Sequence, residues 1–333
     1  MAASLLRSPW LSVLGAGLAL SVTYHVLDFI WLYAGPAPAK SRRLSRYLHG
    51  DTPAWALVTG ASDGIGRALS AELARQGFNV VLHGRNAEKL DAARAALSAS
   101  HPGRSFRILV ADATSPSLYD RPSDPDSDSD DPDPFDALLA PLADLNLTVL
   151  VNNAGGGPRP TFGFLESYPR ADIVANLRLN AGFPTLLSAA LIPRLRRRGP
   201  ALLLNVASVS DDGVPLLSFY GAAKAAAHVV HVAIAREARM RGEGEGELEV
   251  LSHRIGAVTG VSRLAEEPSL FRPDAGVVAR AILAKTGCGR SVVVPYWPHA
   301  LQQVMMGLFP AGLKERVLIK AMKEQAAQQD KKE

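Results

Sequence analysis

Residues 55–66 read WALVTGASDGIG, and this stretch decides the fold. Trp55 to Val58 is a short, continuous apolar run with the length of a buried strand. Thr59-Gly60-Ala61-Ser62-Asp63-Gly64-Ile65-Gly66 follows, and a helical pattern then continues through Arg75. Glycines at such a turn let the backbone come close to a pyrophosphate, and a helix N-terminus presents unpaired N–H groups to it. Strand before and helix after are the context that such a turn needs. A tight turn with no ligand is the alternative.

Six more apolar runs recur along the chain: FNVVLHG at 78–84, FRILVAD at 106–112, LTVLVNN at 147–153, ALLLNVAS at 201–208, LEVLSHRIG at 248–256 and SVVVPY at 291–296. Amphipathic helical patterns separate them. Short apolar strands alternating with helices indicate a parallel sheet covered on both faces. The expectation is an α/β, doubly wound parallel sheet of about seven strands, forming one domain over residues 54–295. Residues 120–134, DRPSDPDSDSDDPDP, break the rhythm. They are too polar to bury and predict a disordered acidic insertion before the next helix. A calcium loop would need a Gly at its sharp turn and a final Glu, which the spacing lacks. GEGEGE at 242–247 reads as a second loop.

The second run ends His83-Gly84-Arg85-Asn86, with no Asp or Glu from 79 to 87. An NAD site would place a carboxylate there to accept from the ribose 2′-OH. Arg85 instead offers a planar fork of donors to a 2′-phosphate, which points to NADPH/NADP+. A solvated loop cation is the other reading. Asp112, or its neighbouring backbone, stands where the adenine amino group would be met. Asn152-Asn153-Ala154-Gly155 ends the fourth run, and its small residues let a nicotinamide ribose lie against the strand end. Asn152 either braces the sheet or touches the cofactor.

Tyr220 and Lys224 stand four residues apart, on one face of a helix. A phenol with a pKa of about 10 is a poor acid–base group at neutral pH, and a nearby ammonium lowers that value. Lys224 also has the reach to hold ribose hydroxyls. Ser208, closing the fifth run, supplies a hydroxyl that can polarise a carbonyl.

TGASDGIG, NNAG, Ser208 and YGAAK occur in order at successive strand ends. As a set they resemble the short-chain dehydrogenase/reductase superfamily. That resemblance implies a Rossmann-type sheet and a carbonyl–alcohol interconversion in which Tyr220 moves the proton, Ser208 orients the carbonyl and Lys224 tunes Tyr220. It implies a cofactor bound by Thr59, Gly60, Ser62, Asp63, Gly64, Ile65, Gly66, Arg85, Asp112, Asn153, Ala154 and Gly155, with Tyr220 and Lys224. It also implies that Asn180 holds a water on a proton relay, a core-facing Asn180 being the alternative. Because helices carrying Asn180 and Tyr220 often form dimer faces in the superfamily, a homodimer is left open. The N-terminal segment, ALVTGASDGIGRAL, VPLLSFYGAAKAA and PYWPHALQQVMMGLFP look like microsomal very-long-chain 3-oxoacyl-CoA reductases and related 17β-hydroxysteroid dehydrogenases. That likeness implies an endoplasmic-reticulum membrane, NADPH, and reduction of a long acyl chain or another lipophilic ketone, with a steroid, retinoid or specialised-metabolite ketone as the runner-up. Ser208 precedes Tyr220 by twelve residues, one fewer than is usual, and Ile255 replaces a frequent proline. A non-catalytic, cofactor-binding scaffold would be marked by loss of Tyr, Lys or Ser, and all three are present.

The ends differ from the middle. Residues 10–34 are apolar over enough length to span a bilayer core of roughly 30 Å. Lys40, Arg42, Arg43 and Arg46 after it place the body in the cytosol by the positive-inside rule. We expect a membrane anchor over 1–35 and a linker over 36–53; a cleaved signal or transit peptide and a buried helix are the alternatives. Residues 296–333 either cap an apolar pocket, lie in the membrane interface or pack as a terminal helix, with the last eleven, KEQAAQQDKKE, frayed or disordered. The net charge of +4 is not gathered into a nucleic-acid-binding stripe. The single cysteine, Cys288, excludes an internal disulfide and a cysteine zinc site, and no metal is assigned.

Overall fold

A computed structural model describes residues 9–35, 44–119, 133–158, 160–197, 199–242, 247–261 and 267–330. Two compact units divide at Ala39. The first holds helix α1, Pro9–Ala34. Its 26 residues extend about 39 Å. Ser12–Ala34 is long and apolar enough to cross a membrane, and large side chains such as Trp10, Leu14, Leu18 and Trp31 are exposed on it.

The second unit is a seven-stranded sheet of β1 (Ala54–Thr59), β2 (Asn79–Gly84), β3 (Phe106–Val110), β4 (Asn146–Asn152), β5 (Ala201–Ser208), β6 (Leu248–Ile255) and β7 (Val292–Val293). The order is β3-β2-β1-β4-β5-β6-β7, and every pairing is parallel. The order reverses between β1 and β4, so their C-terminal ends open a crevice where ligands bind in such sheets. Between the strands lie α2 (Gly64–Arg75), α3 (Ala87–Ser100), α4 (Pro134–Leu139), α5 (Arg170–Leu177), α6 (Phe183–Arg197), α7 (Ser218–Met240) and α8 (Ala275–Ala284); α9 (Trp297–Leu308) and α10 (Ala311–Asp330) follow β7. Alternate strand residues bury on opposite faces, because successive side chains point opposite ways. Leu57, Val81, Leu147 and Leu203 meet Phe135, Phe183, Leu187 and Leu191 in one core. Leu69 and Leu73 of α2 and Val278 and Ile282 of α8 are buried as well.

Three expectations are corrected. Residues 44–53 are not a free linker: a 3-10 turn, Leu44–Tyr47, buries Leu44 and Tyr47. The Tyr47 hydroxyl donates to Glu249, Thr148 donates to the Tyr47 carbonyl, and Asn146 donates to the carbonyls of His49 and Thr52. The aromatic body and these backbone bonds outweigh the segment's polar composition. Residues 323–330 are helical as the end of α10, and Gln329 there finds partners in a distant loop. Asp133 and Pro134 do not belong to a disordered stretch: Asp133 caps α4, accepting from Phe135 N at 2.8 Å, and Pro134 opens it. The rest of the acidic insertion, 120–132, and residues 243–246 of the second loop lie outside the described residues.

Candidate active site

The crevice begins where β1 ends. Gly60 has φ +65° and Gly64 φ +53°, a left-handed backbone that a side chain disfavours. Gly66 is required for another reason: a Cβ there would lie 2.1 Å from the Gly60 carbonyl oxygen. Asp63 caps α2, accepting from Gly64 N at 2.7 Å. Thr59 ties the turn to the neighbouring strand end. Its hydroxyl donates to Val151 O at 3.2 Å and accepts from the N–H groups of Asn153 and Ala154 at 2.9 and 2.8 Å. Asn153 Nδ2 returns a bond to Thr59 O at 2.9 Å. The turn at the N-terminus of α2 is therefore rigid, glycine-lined and open to an anion. Ile65 follows in the first turn of α2.

At the tip of β2, Ser62 Oγ stands 3.6 Å from the place a Cβ would take on Gly84. Arg85 follows, exposed, with no ion pair among the described residues, so its fork is available to a phosphate. Asp112 lies two residues beyond the end of β3 rather than on the strand. Its Oδ1 accepts from Thr114 N and Oγ1 at 2.9 and 2.8 Å, which fixes the carboxylate at the edge of the crevice. A chain whose cradle would be filled by any Cβ at 60 or 66, and which carries a free arginine at the β2 tip, fits a dinucleotide bearing a 2′-phosphate.

Ser208, Tyr220, Lys224 and Asn180 converge at the ends of β4 and β5. The Ser208 side chain lies near enough to the Tyr220 phenol to act on its titration, and Ser210 Oγ donates to Ser208 Oγ at 2.8 Å. Burial pushes the Tyr220 phenol up, nearby Ser208 pulls it down, and Asp211 pushes it up again. Lys224 is buried, its Nζ donates to Val206 O at 3.0 Å, and burial pulls its pKa down to about 8. The expected lowering of the phenol by Lys224 is not among the influences on Tyr220 in the polypeptide itself. The ammonium hangs instead from a strand carbonyl, on the side where Gly155 lies.

Asn180 sits in a π-helical turn, Arg178–Gly182, that interrupts the continuous helix made by α5 and α6. Such bulges re-aim side chains and are frequent at functional sites. Asn180 Oδ1 accepts from Gly156 N at 3.1 Å, and Nδ2 donates to Gly156 O and Asn176 O, each at 3.1 Å. It is thus buried and bonded to the loop after β4. Asn152 turns away from the crevice. Its Nδ2 donates to Ser188 Oγ at 2.8 Å and Pro184 O at 3.2 Å, and stands 3.1 Å from His231 Nε2. Asn152 is a brace between β4 and the helices α6 and α7.

Sequence reasoning missed several residues. Ser210 carried a legible signal, a second hydroxyl two positions after Ser208. Arg254, Asp211 and Gln329 carried none, since their partners are remote in the chain. Gln329 Oε1 accepts from Thr161 N and Phe162 N at 3.0 and 3.1 Å, so the end of α10 clasps the loop after β4. The next residue, Gly163, donates to Leu216 O at 3.3 Å. Leu216 itself has φ +64°, strained for a side-chain-bearing residue, in the loop shortened by one residue between Ser208 and Tyr220. His299 closes the other side, accepting from Gly256 N through Nδ1 at 3.2 Å.

Three comparisons bear on this geometry. The profile of the short chain dehydrogenase family matches residues 54–122 and 132–250. A very-long-chain 3-oxoacyl-CoA reductase-like protein of Arabidopsis thaliana is 30% identical over 82% of this chain and 80% of its own; a very-long-chain 3-oxoacyl-CoA reductase of Pyricularia oryzae is 28% identical over 86% and 81%. The solved structure of a short-chain dehydrogenase from Sphingobium yanoikuyae in complex with NADPH superposes with a TM-score of 0.57, at 25% identity, over 77% of this chain and 96% of that one.

Proposed function

Since this chain belongs to the short chain dehydrogenase family, we propose that it reduces the keto group of a long-chain 3-oxoacyl-CoA with NADPH at the crevice between β1 and β4. The coarser statement is firm: the chain is an NADP(H)-dependent oxidoreductase acting on a ketone of a lipophilic substrate. The acyl-CoA class is supported by the names of the plant and fungal relatives.

The observation that carries the reading is the Ser208 side chain beside the Tyr220 phenol, with buried Lys224 one helical turn on. NADPH supplies the hydride. Two neighbouring hydroxyls can both turn to one carbonyl oxygen. Ser208 then polarises the carbonyl, and Tyr220, held protonated by burial, gives its proton to the developing alkoxide. Lys224 and Asn180 flank Gly155, where the ribose side of the cofactor would pass. Gly60, Gly64 and Gly66 leave room for the pyrophosphate at α2, Thr59 and Asn153 hold that turn, and Arg85 meets the 2′-phosphate. Helix α1 supports a membrane anchor that keeps the site beside its lipophilic substrate, with the endoplasmic reticulum as the proposed membrane.

The test is reduction of long-chain 3-oxoacyl-CoA, beside a panel of steroid and retinoid ketones, by the full chain in detergent. Wild type should oxidise NADPH with the acyl-CoA, and Tyr220→Phe should lose about 100-fold or more in kcat while still binding NADPH. Unchanged turnover in that variant removes Tyr220 from the chemistry. Turnover confined to steroid ketones removes the acyl-CoA reading.

A further inference from the structure

A charged fork lies behind the two reacting hydroxyls. Arg254, near the end of β6, grips Asp211 through one guanidinium edge: Nε donates to Oδ1 at 3.1 Å and Oδ2 at 2.8 Å, and a terminal nitrogen donates to Oδ1. The pair is withdrawn from water, with side-chain exposures of 19% for Arg254 and 6% for Asp211. Arg254 also reaches Asp212 at 3.2 Å and Gln303 of α9 at 3.4 Å, and Lys314 of α10 stands 3.7 Å from Asp212. The two carboxylates belong to a 3-10 turn, Val209–Asp212, whose first two residues follow Ser208 directly. Within that turn Ser210 donates to Ser208 from both its N–H, at 3.2 Å, and its hydroxyl, at 2.8 Å. The turn presses on α7 immediately beyond the tyrosine, since a Cβ on Gly221 would lie 2.6 Å from Ser210 O.

Resting on the reading of Tyr220 as the proton donor, we propose that Arg254 and Asp211 are positioning residues: the pair fixes the turn that sets Ser208 against Tyr220, and Arg254 partly offsets the carboxylate charge that reaches the phenol. Bidentate pairing suits this task, because the planar guanidinium fixes direction as well as charge. Ser208 and Asp211 act on the phenol directly, and the other charged groups lie behind them. Ser208 comes from β5, Asp211 from the turn and Lys224 from α7 itself. Arg254 comes from β6, and His228 of α7 faces both Asp211 and Arg254. Without Arg254, the Asp211 carboxylate is an uncompensated anion beside a group that must release a proton.

The experiment is an ultraviolet difference titration of the Tyr220 phenol in the full chain with NADP+ present, each variant measured against its own Tyr220→Phe counterpart. Arg254→Met should move the phenol upward, and Asp211→Asn should move it downward. The double variant should return near wild type. A phenol that stays in place in Arg254→Met, or a double variant displaced as far as the single, overturns the proposal. Arg254→Lys, which keeps the charge but loses the fork, covers the case in which Arg254→Met does not fold. Its phenol should titrate near the wild-type position, while kcat for long-chain 3-oxoacyl-CoA falls about tenfold at unchanged KM for NADPH. Full kcat in Arg254→Lys counts against the fork. The titration requires no turnover, so failure of the proposed reaction in wild type and failure of the pair are read separately.

Discussion

Gly155 and Lys224 are in such close contact that a Cβ on Gly155 would lie 2.7 Å from the lysine Nζ; it would also lie 2.7 Å from Asn180 Oδ1. The end of β4, the start of α7 and the π turn therefore meet at one atom-sized gap. The ammonium cannot retreat without leaving Val206 O, its hydrogen-bond acceptor at 3.0 Å. Gly155→Ala is expected to displace Lys224 and Asn180 together and to lower kcat by about 100-fold, the cost of an ångström-scale misplacement. Steady-state kinetics with saturating NADPH would expose the error if that variant turned over like wild type.

Arg85 is expected to set cofactor choice. Its guanidinium is exposed and unpaired among the described residues, so removing it leaves the surrounding structure intact. A lost charge-assisted contact of about 1.5–3 kcal/mol corresponds to about 10- to 100-fold in NADPH affinity. Arg85→Asp should go further and favour NADH, because a carboxylate repels the 2′-phosphate and accepts from a 2′-hydroxyl. Titration of cofactor fluorescence with both nucleotides measures this, and equal NADPH affinity in wild type and Arg85→Asp would count against it.

Gln329 should act on substrate and not on cofactor. It holds the N–H groups of Thr161 and Phe162, and through Gly163 that loop holds the strained Leu216 beside the catalytic helix. Gln329→Leu leaves two backbone donors without that acceptor and frees the loop. We expect KM for the lipophilic ketone to rise several-fold, with KM for NADPH unchanged and a fall in stability of about 1 kcal/mol. A parallel rise in both KM values would show that the clasp does not belong to the substrate side.

Acid should destabilise the fold in a defined window. Burial pulls His83 and His231 down to about 4 and His253 down to about 3. The unfolded chain protonates these rings near pH 6.5, so below that value it binds more protons than the native state. The stability they contribute is complete above about pH 6.5 and is lost as pH falls towards 4. His253 has no hydrogen-bond partner on either ring nitrogen among the described residues. His253→Leu should therefore match or exceed wild-type stability at neutral pH and flatten the acid limb of a melting-temperature series. A steeper acid limb in that variant would contradict the assignment.

The sheet was legible because local rules agreed. Each strand is a short apolar run, each crossover carries an amphipathic pattern, and parallel order follows from that alternation. β7 shrank most, to Val292–Val293, since Pro295 and the start of α9 end it. The glycine turn and the Tyr220–Lys224 spacing were legible for the same reason: their geometry is set within one strand–turn–helix unit or one helical turn. Asn180 was visible only through family resemblance, since nothing in Arg178–Gly182 announces a π turn.

What the sequence determined by itself is thus whatever neighbouring residues enforce: the strands, the glycine cradle, the apolar N-terminal helix and the residue types at the crevice. What the tertiary structure alone decided is how distant segments settle on that frame. Leu44–Tyr47 folded onto the sheet, Asn152 turned to α6 and α7, Gln329 clasped a loop more than half the chain away, and Arg254 forked Asp211 behind Ser208. The physical reason is that buried donors, acceptors and charges must find partners wherever the fold brings them, and sequence distance places no limit on where those partners lie.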